Sequence, residues 1–233
     1  MKARRILISR RRFLTSGVVL IVFGTVSHLH AQNRSKSLAV SPSEKAIARH
    51  LEAVFGTRPR IFVHRETEND PFYVGIARVQ DYPDIGMVTM STIGTSNSPL
   101  IQEDGSEYTP TRVEFIASCE KGQEEDLGEA LFRAVLFVSK VKGFAQPGIF
   151  LNNLFGEFRP STPVPNGFLT TPFAYEGLGT PNEFGGRVVS WLQVMPVSAS
   201  EITYAQEHST DALETKFEDQ NVEWENLDRT PVV

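Results

Sequence analysis

Apolar residues recur at helical spacing in two long stretches of this chain. After Ser41-Pro42-Ser43-Glu44, the side chains of Ile47, Leu51, Val54 and Phe55 fall on one face, and Gly56 and Pro59 close the segment. Serine at the cap, proline at the first helical position and glutamate three residues after the cap form a capping box, predicting an amphipathic helix of about 14 residues. The second stretch covers residues 123–140, where Leu127, Leu131, Ala134, Val135, Val138 and Val141 make one wide stripe. Glu124, Glu125 and Asp126 stand at its first turn, where negative charge suits the helix dipole, and Lys140, Lys142 and Gly143 supply positive charge and a left-handed cap at its end. That acidic trio has the residue types of a metal or acid–base cluster, but its place at a helix start reads as a solvated, dipole-matching group.

Between the two helices lie three segments of strand character, residues 60–65, 72–79 and 87–93, rich in Ile, Val, Phe and Tyr. Asn-Asp-Pro and Tyr-Pro-Asp-Ile-Gly turns separate them, predicting an antiparallel meander. Residues 94–110 are polar and carry Asn97, Pro99, Asp104-Gly105 and Pro110, a long excursion of the kind that often serves function. It leads into a strand over 111–119, where Val113, Phe115, Ala117 and Cys119 share a face. Residues 144–186 change character: prolines and glycines rule out a long helix, while seven aromatics from Phe150 to Phe184 predict an ordered, irregular cover with short strands near 167–171. Residues 187–195 are apolar on both faces and predict a central strand, stopped by Pro196. Ser198-Ala199-Ser200-Glu201 is a second capping box, opening a short helix to about residue 207, and Thr210 begins another to about residue 217. The tail from Asn221 holds Trp224 and ends in Pro231-Val232-Val233, which predicts partial docking. These elements predict an α+β fold: one domain over residues 41–233, a mostly antiparallel mixed sheet with amphipathic helices packed on it.

One apolar run belongs to none of this. Residues 17–26 follow Ser9-Arg10-Arg11-Arg12-Phe13-Leu14-Thr15, a basic region with paired arginines ahead of Phe-Leu. Basic region, short apolar core and a small residue at a cleavage point are the parts of a secretory signal, and Arg10, Arg11, Phe13 and Leu14 mark its twin-arginine form. The run is too short and too interrupted to span a bilayer as a stable anchor. Residues 1–31 are therefore expected to be a signal peptide cleaved between Ala31 and Gln32, with 32–40 a flexible leader. The twin-arginine translocase would be a partner during export, and the product would be periplasmic or extracellular.

Charge sharpens the choice of partner. The chain carries 23 basic and 28 acidic residues; without residues 1–31, which hold six basic and no acidic ones, 17 stand against 28, a net charge of −11. That balance disfavours nucleic acid and anionic membrane, and favours a basic protein or peptide. The single cysteine cannot form an internal disulfide; Cys119, on an apolar strand with no basic neighbour in sequence, reads as a buried structural thiol.

Candidate chemistry is sparse. The chain has no phosphate loop, dinucleotide fingerprint, nucleophile elbow or metal-binding helix motif, so no catalytic, cofactor-binding or metal residues are assigned. His50, His64 and His208 are isolated in sequence. Glu114, flanked by Val113 and Phe115, could be a carboxyl of raised pKa, but its alternating position reads as facing solvent or pairing with an arginine, Arg112 and Arg187 being candidates.

The strand Thr111-Arg112-Val113-Glu114-Phe115-Ile116, the helix after it, the run from Val188 to Met195-Pro196 with Ser200-Glu201, the closing Asp228-Arg229-Thr230, and the glycine-ended strand Val88-Thr89-Met90-Ser91-Thr92-Ile93-Gly94 together resemble the suppressor-of-fused domain family. The resemblance covers roughly residues 47–233. It implies a mixed α+β domain that binds proteins rather than turning over substrates: animal members restrain a transcription factor, and bacterial members look like immunity proteins that neutralise a toxin. It supplies no catalytic residues. The immunity role is usually cytoplasmic, so in an exported member it would imply a toxin acting in the periplasm. The expected function is a non-enzymatic protein-binding domain of immunity or inhibitor type, exported in folded form. An exported enzyme with an unrecognised cofactor and a structural envelope protein are the alternatives. The interface is placed on the 94–110 excursion and the aromatic irregular region, with Asn97, Asp104, Phe155 and Phe158 as candidate partner contacts.

Overall fold

In the computed structural model, which describes residues 40–68 and 70–233, the first capping box starts the first helix as its sequence dictates. Helix α1 (Pro42–Phe55) has Ser41 accepting from the Glu44 N–H while the Glu44 carboxylate accepts from the Ser41 N–H, and Gly56 ends it with φ 66°. The meander follows as β1 (Arg60–His64), β2 (Val74–Gln80) and β3 (Met87–Ile93). The excursion contains a single 3-10 turn (Thr95–Asn97) and a small hairpin, β4 (Leu100–Ile101) and β5 (Glu107–Tyr108), before β6 (Thr111–Glu120). Helix α2 (Glu124–Ser139) leads into the irregular region, which holds β7 (Phe150–Leu151), β8 (Asn166–Thr170) and β9 (Asn182–Phe184). The chain closes with β10 (Arg187–Val197), α3 (Ala199–His208) and α4 (Thr210–Asp219).

Among the described residues eight strands form one sheet, ordered β1-β2-β3-β6-β10-β8-β7 with β9 pairing the start of β10. Every pairing is antiparallel except β10 on β6, at the centre, where Val189 stands beside Arg112 and Gln193 beside Ile116. The fold is the expected α+β type, mostly antiparallel and mixed. Both faces of the sheet are covered. Alternation sends Ile76, Val88, Phe115 and Cys119 to the side of α2, and Ala77, Ile93, Ile116, Trp191 and Met195 to the side of α1, α3 and α4. Double coverage explains why β10 is apolar on both faces.

Three expectations are corrected. Pro196 does not stop β10, which continues to Val197 with Pro196 opposite Gly167 on β8. The Pro196 carbonyl accepts from Arg229 at 2.7 Å, on the side β6 has already left, so its missing N–H falls where no ladder bond is needed. At the end of α2 the left-handed residue is Lys142 (φ 62°), not Gly143. Glycine is required at 143 because a Cβ there would lie 2.1 Å from the Phe137 ring. The acidic trio is not simply solvated: Glu124 pairs with Arg78 at 3.0 Å and Asp126 with Arg159 at 2.8 Å, leaving Glu125 exposed.

The tail docks more fully than its composition suggests. Trp224 and Leu227 are buried, Arg159 grips Asp228, and Arg229 reaches Glu201 through two bonds of 2.7 and 2.8 Å. Glu201 therefore serves twice, completing the capping box of α3 and holding the C-terminal segment, whose Val232 N–H it also accepts at 2.9 Å. Both side chains are nearly inaccessible, at 0 and 2 %.

Candidate protein-interaction surface

Where β3 ends, the chain carries two hydroxyl residues and a glycine in quick succession, and their short side chains leave backbone N–H groups free to converge. Glu114 of β6 fills that convergence. One carboxylate oxygen accepts from the N–H groups of Gly94 (2.9 Å) and Ser96 (3.1 Å) and from the Ser96 hydroxyl (2.6 Å); the other accepts from the Thr95 N–H (3.2 Å) and the Thr92 hydroxyl (2.6 Å). Thr92 in turn accepts from the Phe115 N–H at 2.8 Å. Glu114 is fully buried, so the expectation that it faces solvent or pairs with Arg112 or Arg187 is wrong. Successive N–H groups of a tight turn make a concave anion site, and here the anion is the protein's own carboxylate. Gly94, at φ 113°, is needed both for that turn and because a Cβ would stand 3.1 Å from a Glu44 oxygen.

This knot fixes the root of the excursion. Asn97, itself exposed, donates to Glu44 at 3.2 Å and accepts from Arg187 at 2.9 Å, tying the excursion to the start of α1 and the start of β10. Leu100 is buried against the α2 face. Beyond it residues 102–110 are exposed throughout. The hairpin is closed by Gln102, whose N–H donates to the Ser106 carbonyl at 2.8 Å, and by Asp104, which accepts from the Ser106 N–H at 2.8 Å. Hydrogen bonding from the Ser106 hydroxyl, then from its backbone, holds the Asp104 carboxyl below the ordinary range, so it is charged. Glu107 pairs with Arg112, and the half-exposed ring of Tyr108 meets Phe144 edge-on at 5.3 Å. The result is a hairpin anchored at its base, with an exposed acidic tip of Glu103 and Asp104.

The other two candidate contacts lie elsewhere. Phe155 has no exposed surface and belongs to the core on the α2 side, so it cannot meet a partner directly. Phe158 is half-buried under the Arg133 guanidinium, 5.1 Å from its ring, and Arg133 also pairs with Glu157. The aromatic region is a cover, as expected, but its rings Phe150, Phe168, Tyr175 and Phe184 point inward. Arg10, Arg11, Phe13, Leu14, Ala31 and Gln32 lie outside the described residues.

Among the described residues the histidines pack against aromatic rings. His50 packs between Phe184 and Trp191, His64 against Phe132, and His208 against Tyr204. Among the described residues no three His, Cys, Asp or Glu side chains group as metal ligands, and no helix is long and apolar enough to cross a membrane. Cys119 is buried, and burial pushes its thiol up to about 12.

The described residues thus form a doubly covered mixed sheet with a self-filled anion nest at the root of an exposed hairpin. The family model for "Suppressor of fused protein (SUFU)" matches residues 70–230, and the chain belongs to that family. A curated relative, "Immunity protein YqcF" of Bacillus subtilis (strain 168), is 25 % identical over 196 residues, covering 84 % of this chain and all of its own length. Among solved structures, a suppressor-of-fused homologue from Neisseria gonorrhoeae FA 1090 superposes with a TM-score of 0.60 at 16 % identity, over 82 % of this chain and 97 % of that one. A chain of the Sufu–Fu complex gives 0.59 at 14 % identity, over 82 % of this chain and 92 % of its own. Drosophila Suppressor of Fused gives 0.57 at 15 %; this chain spans about half of it, 51 %. At these identities the structures establish the fold. Glu114, Glu201 and Arg229 all fall within the matched segment.

Proposed function

We propose that this protein is a non-enzymatic protein-binding domain of immunity or inhibitor type, exported in folded form, that holds a basic partner on the hairpin of the 94–110 excursion. The observation that carries the reading is the contrast within that segment: a root fixed by four hydrogen bonds from Gly94, Thr95 and Ser96 to Glu114, and a tip of exposed acidic residues. A pre-organised hairpin loses little entropy on binding, and its negative charge steers a positive partner. Membership of the suppressor-of-fused family and likeness to a protein named as an immunity protein support the same reading, with a toxin as the natural partner. The twin-arginine pattern at Arg10 and Arg11 supports export, and a partner met outside the cytoplasm.

The test is capture of basic proteins from a periplasmic extract at low and high salt, with wild type and with Glu103→Lys/Asp104→Lys. A partner retained by the wild type at low salt and lost by the double variant is expected. Equal retention by both removes the hairpin from the interface, and no partner at any salt removes protein binding. Export is tested separately: Arg10→Lys/Arg11→Lys should leave the protein in the cytoplasm, and continued export would show another route.

A further inference from the structure

The free edge of the sheet contradicts the charge of the rest of the domain. Among the described residues strand β1 pairs with β2 on one side and with no strand on the other. Natural proteins usually protect such an edge with charge, proline or a covering element. Here the middle of the strand is apolar and open on both its faces: Ile61 is 49 % exposed, Phe62 38 % and Val63 41 %. They account for three of the eight large apolar side chains left exposed among the described residues, and they are consecutive.

The flanks are basic. Residues 56–65 contain Arg58, Arg60, His64 and Arg65 and no acidic residue, in a chain whose net charge is −5. Arg60 stands directly across from Arg78 in the β1–β2 register. Arg78 is neutralised by Glu124 at 3.0 Å, whereas among the described residues no carboxylate lies within ion-pair distance of Arg58 or Arg60. Arg60 lies only over its neighbour Phe62, 5.4 Å from the ring, a contact that leaves its charge available. Register sets Arg60 level with Arg78 of β2 and, one strand further in, with Met90 at the middle of β3, so β2 lies between this edge and the strand that leads into the acidic hairpin.

From these observations we infer that β1 is a second docking edge, which takes an extended protein segment alternating apolar and acidic residues as an added antiparallel or parallel strand. Backbone groups of β1 would supply main-chain hydrogen bonds, Ile61, Phe62 and Val63 the apolar contact, and Arg58 and Arg60 the choice of charge. A second copy of this chain is the poorer occupant, because pairing β1 with β1 sets arginine-rich flanks against each other. The inference rests on the protein-binding reading but not on the hairpin.

The test uses the full chain and two labelled peptides of sequence Glu-Val-Glu-Ile-Glu-Val-Glu and Lys-Val-Lys-Ile-Lys-Val-Lys, followed by fluorescence anisotropy, with hydrogen exchange of the β1 amides as a second readout. The acidic peptide should bind roughly tenfold or more tightly than the basic one, slow exchange at residues 60–64, and lose that advantage in Arg58→Glu/Arg60→Glu. Both arginines are exposed, so the variant should fold, and its unchanged melting temperature is the control. Equal affinity for the two peptides, or exchange protection elsewhere, overturns the inference. So does a concentration-dependent dimer that the double variant abolishes, which would make a second copy the occupant. A protein partner that binds wild type and Arg58→Glu/Arg60→Glu equally overturns this inference and leaves protein binding standing; failure to bind any peptide or partner overturns both.

Discussion

Replacing Glu114 by glutamine should loosen the hairpin without unfolding the domain. The glutamine keeps the shape of the side chain but has one acceptor oxygen where the carboxylate has two. Placed where it serves the Gly94 and Ser96 donors, that oxygen leaves the amide nitrogen facing the Thr95 N–H and the Thr92 hydroxyl, two donors that now meet a donor. Thr92 can turn to accept from the amide, but its own proton then has only the Phe115 carbonyl, 3.5 Å away, in place of the carboxylate. Two buried bonds to a charged acceptor are lost, at roughly 1.5 kcal/mol each, giving a destabilisation of about 3 kcal/mol. For a domain of this size that is a drop of about 6–12 °C in melting temperature. The loss should also be local: amide exchange at residues 94–96 and along the 102–108 hairpin should speed up more than in β2 or α2, because those elements do not depend on the nest. Glu125→Gln, on an exposed carboxylate, should shift the melting point by no more than about 2 °C. A Glu114→Gln protein melting within about 1 °C of wild type, with residues 94–96 still protected, would refute the claim that this carboxylate organises the excursion.

Three further outcomes are expected. Arg229→Met should cost about 3–5 kcal/mol by denaturant unfolding, since it strands the Glu201 carboxylate in the interior, while adding Glu201→Leu to it should recover part of the loss, a coupling read from a double-mutant cycle. Burial, and then the charges of Asp211 and Glu218, raise the Glu214 carboxyl despite the hydrogen bond from Thr170. A raised folded pKa means stability that is complete below the unfolded value and lost as pH rises through the folded one, so Glu214→Gln should stabilise the protein at pH 7 relative to wild type and leave it unchanged near pH 3; equal stability of the two proteins at pH 7 would contradict this. Cys119, with its thiol held up at about 12, should react with a thiol reagent at neutral pH only on the timescale of unfolding, and rapid labelling of the native protein would contradict its burial.

Local signals were readable in the sequence because their partners are close in the chain. Both capping boxes, at Ser41–Glu44 and Ser198–Glu201, form as written, since each needs only residues three apart. The meander and the apolar β10 follow from side-chain type and turn residues. What resisted reading depends on distant partners. Glu114 has donors 18 to 22 residues away, mostly backbone N–H groups that no residue type announces; a carboxylate in an apolar strand, preceded by Thr-Ile-Gly-Thr-Ser, was the signal available. Ser200-Glu201 and Asp228-Arg229 were both visible as motifs, but only the fold joins them into one ion pair. Phe155 shows the limit of composition: aromatics in a Pro- and Gly-rich stretch say that it packs, not which rings face out. Pro196 shows the limit of a local rule, since its tolerance depends on where the pairing of β10 with β6 ends.

The parallel pairing at the centre of the sheet also governs how the chain must assemble. Until β10 exists, β1, β2, β3 and β6 can form one sheet fragment and β7 with β8 another, but nothing connects them. The joining strand begins at residue 187, and it pairs on one side with a strand laid down from residue 111. Such long-range closure is slow compared with the local helices and hairpins. During synthesis the inner edges of β6 and β8 therefore wait uncovered, and that interval is when the growing chain is most open to mispairing with another copy of itself.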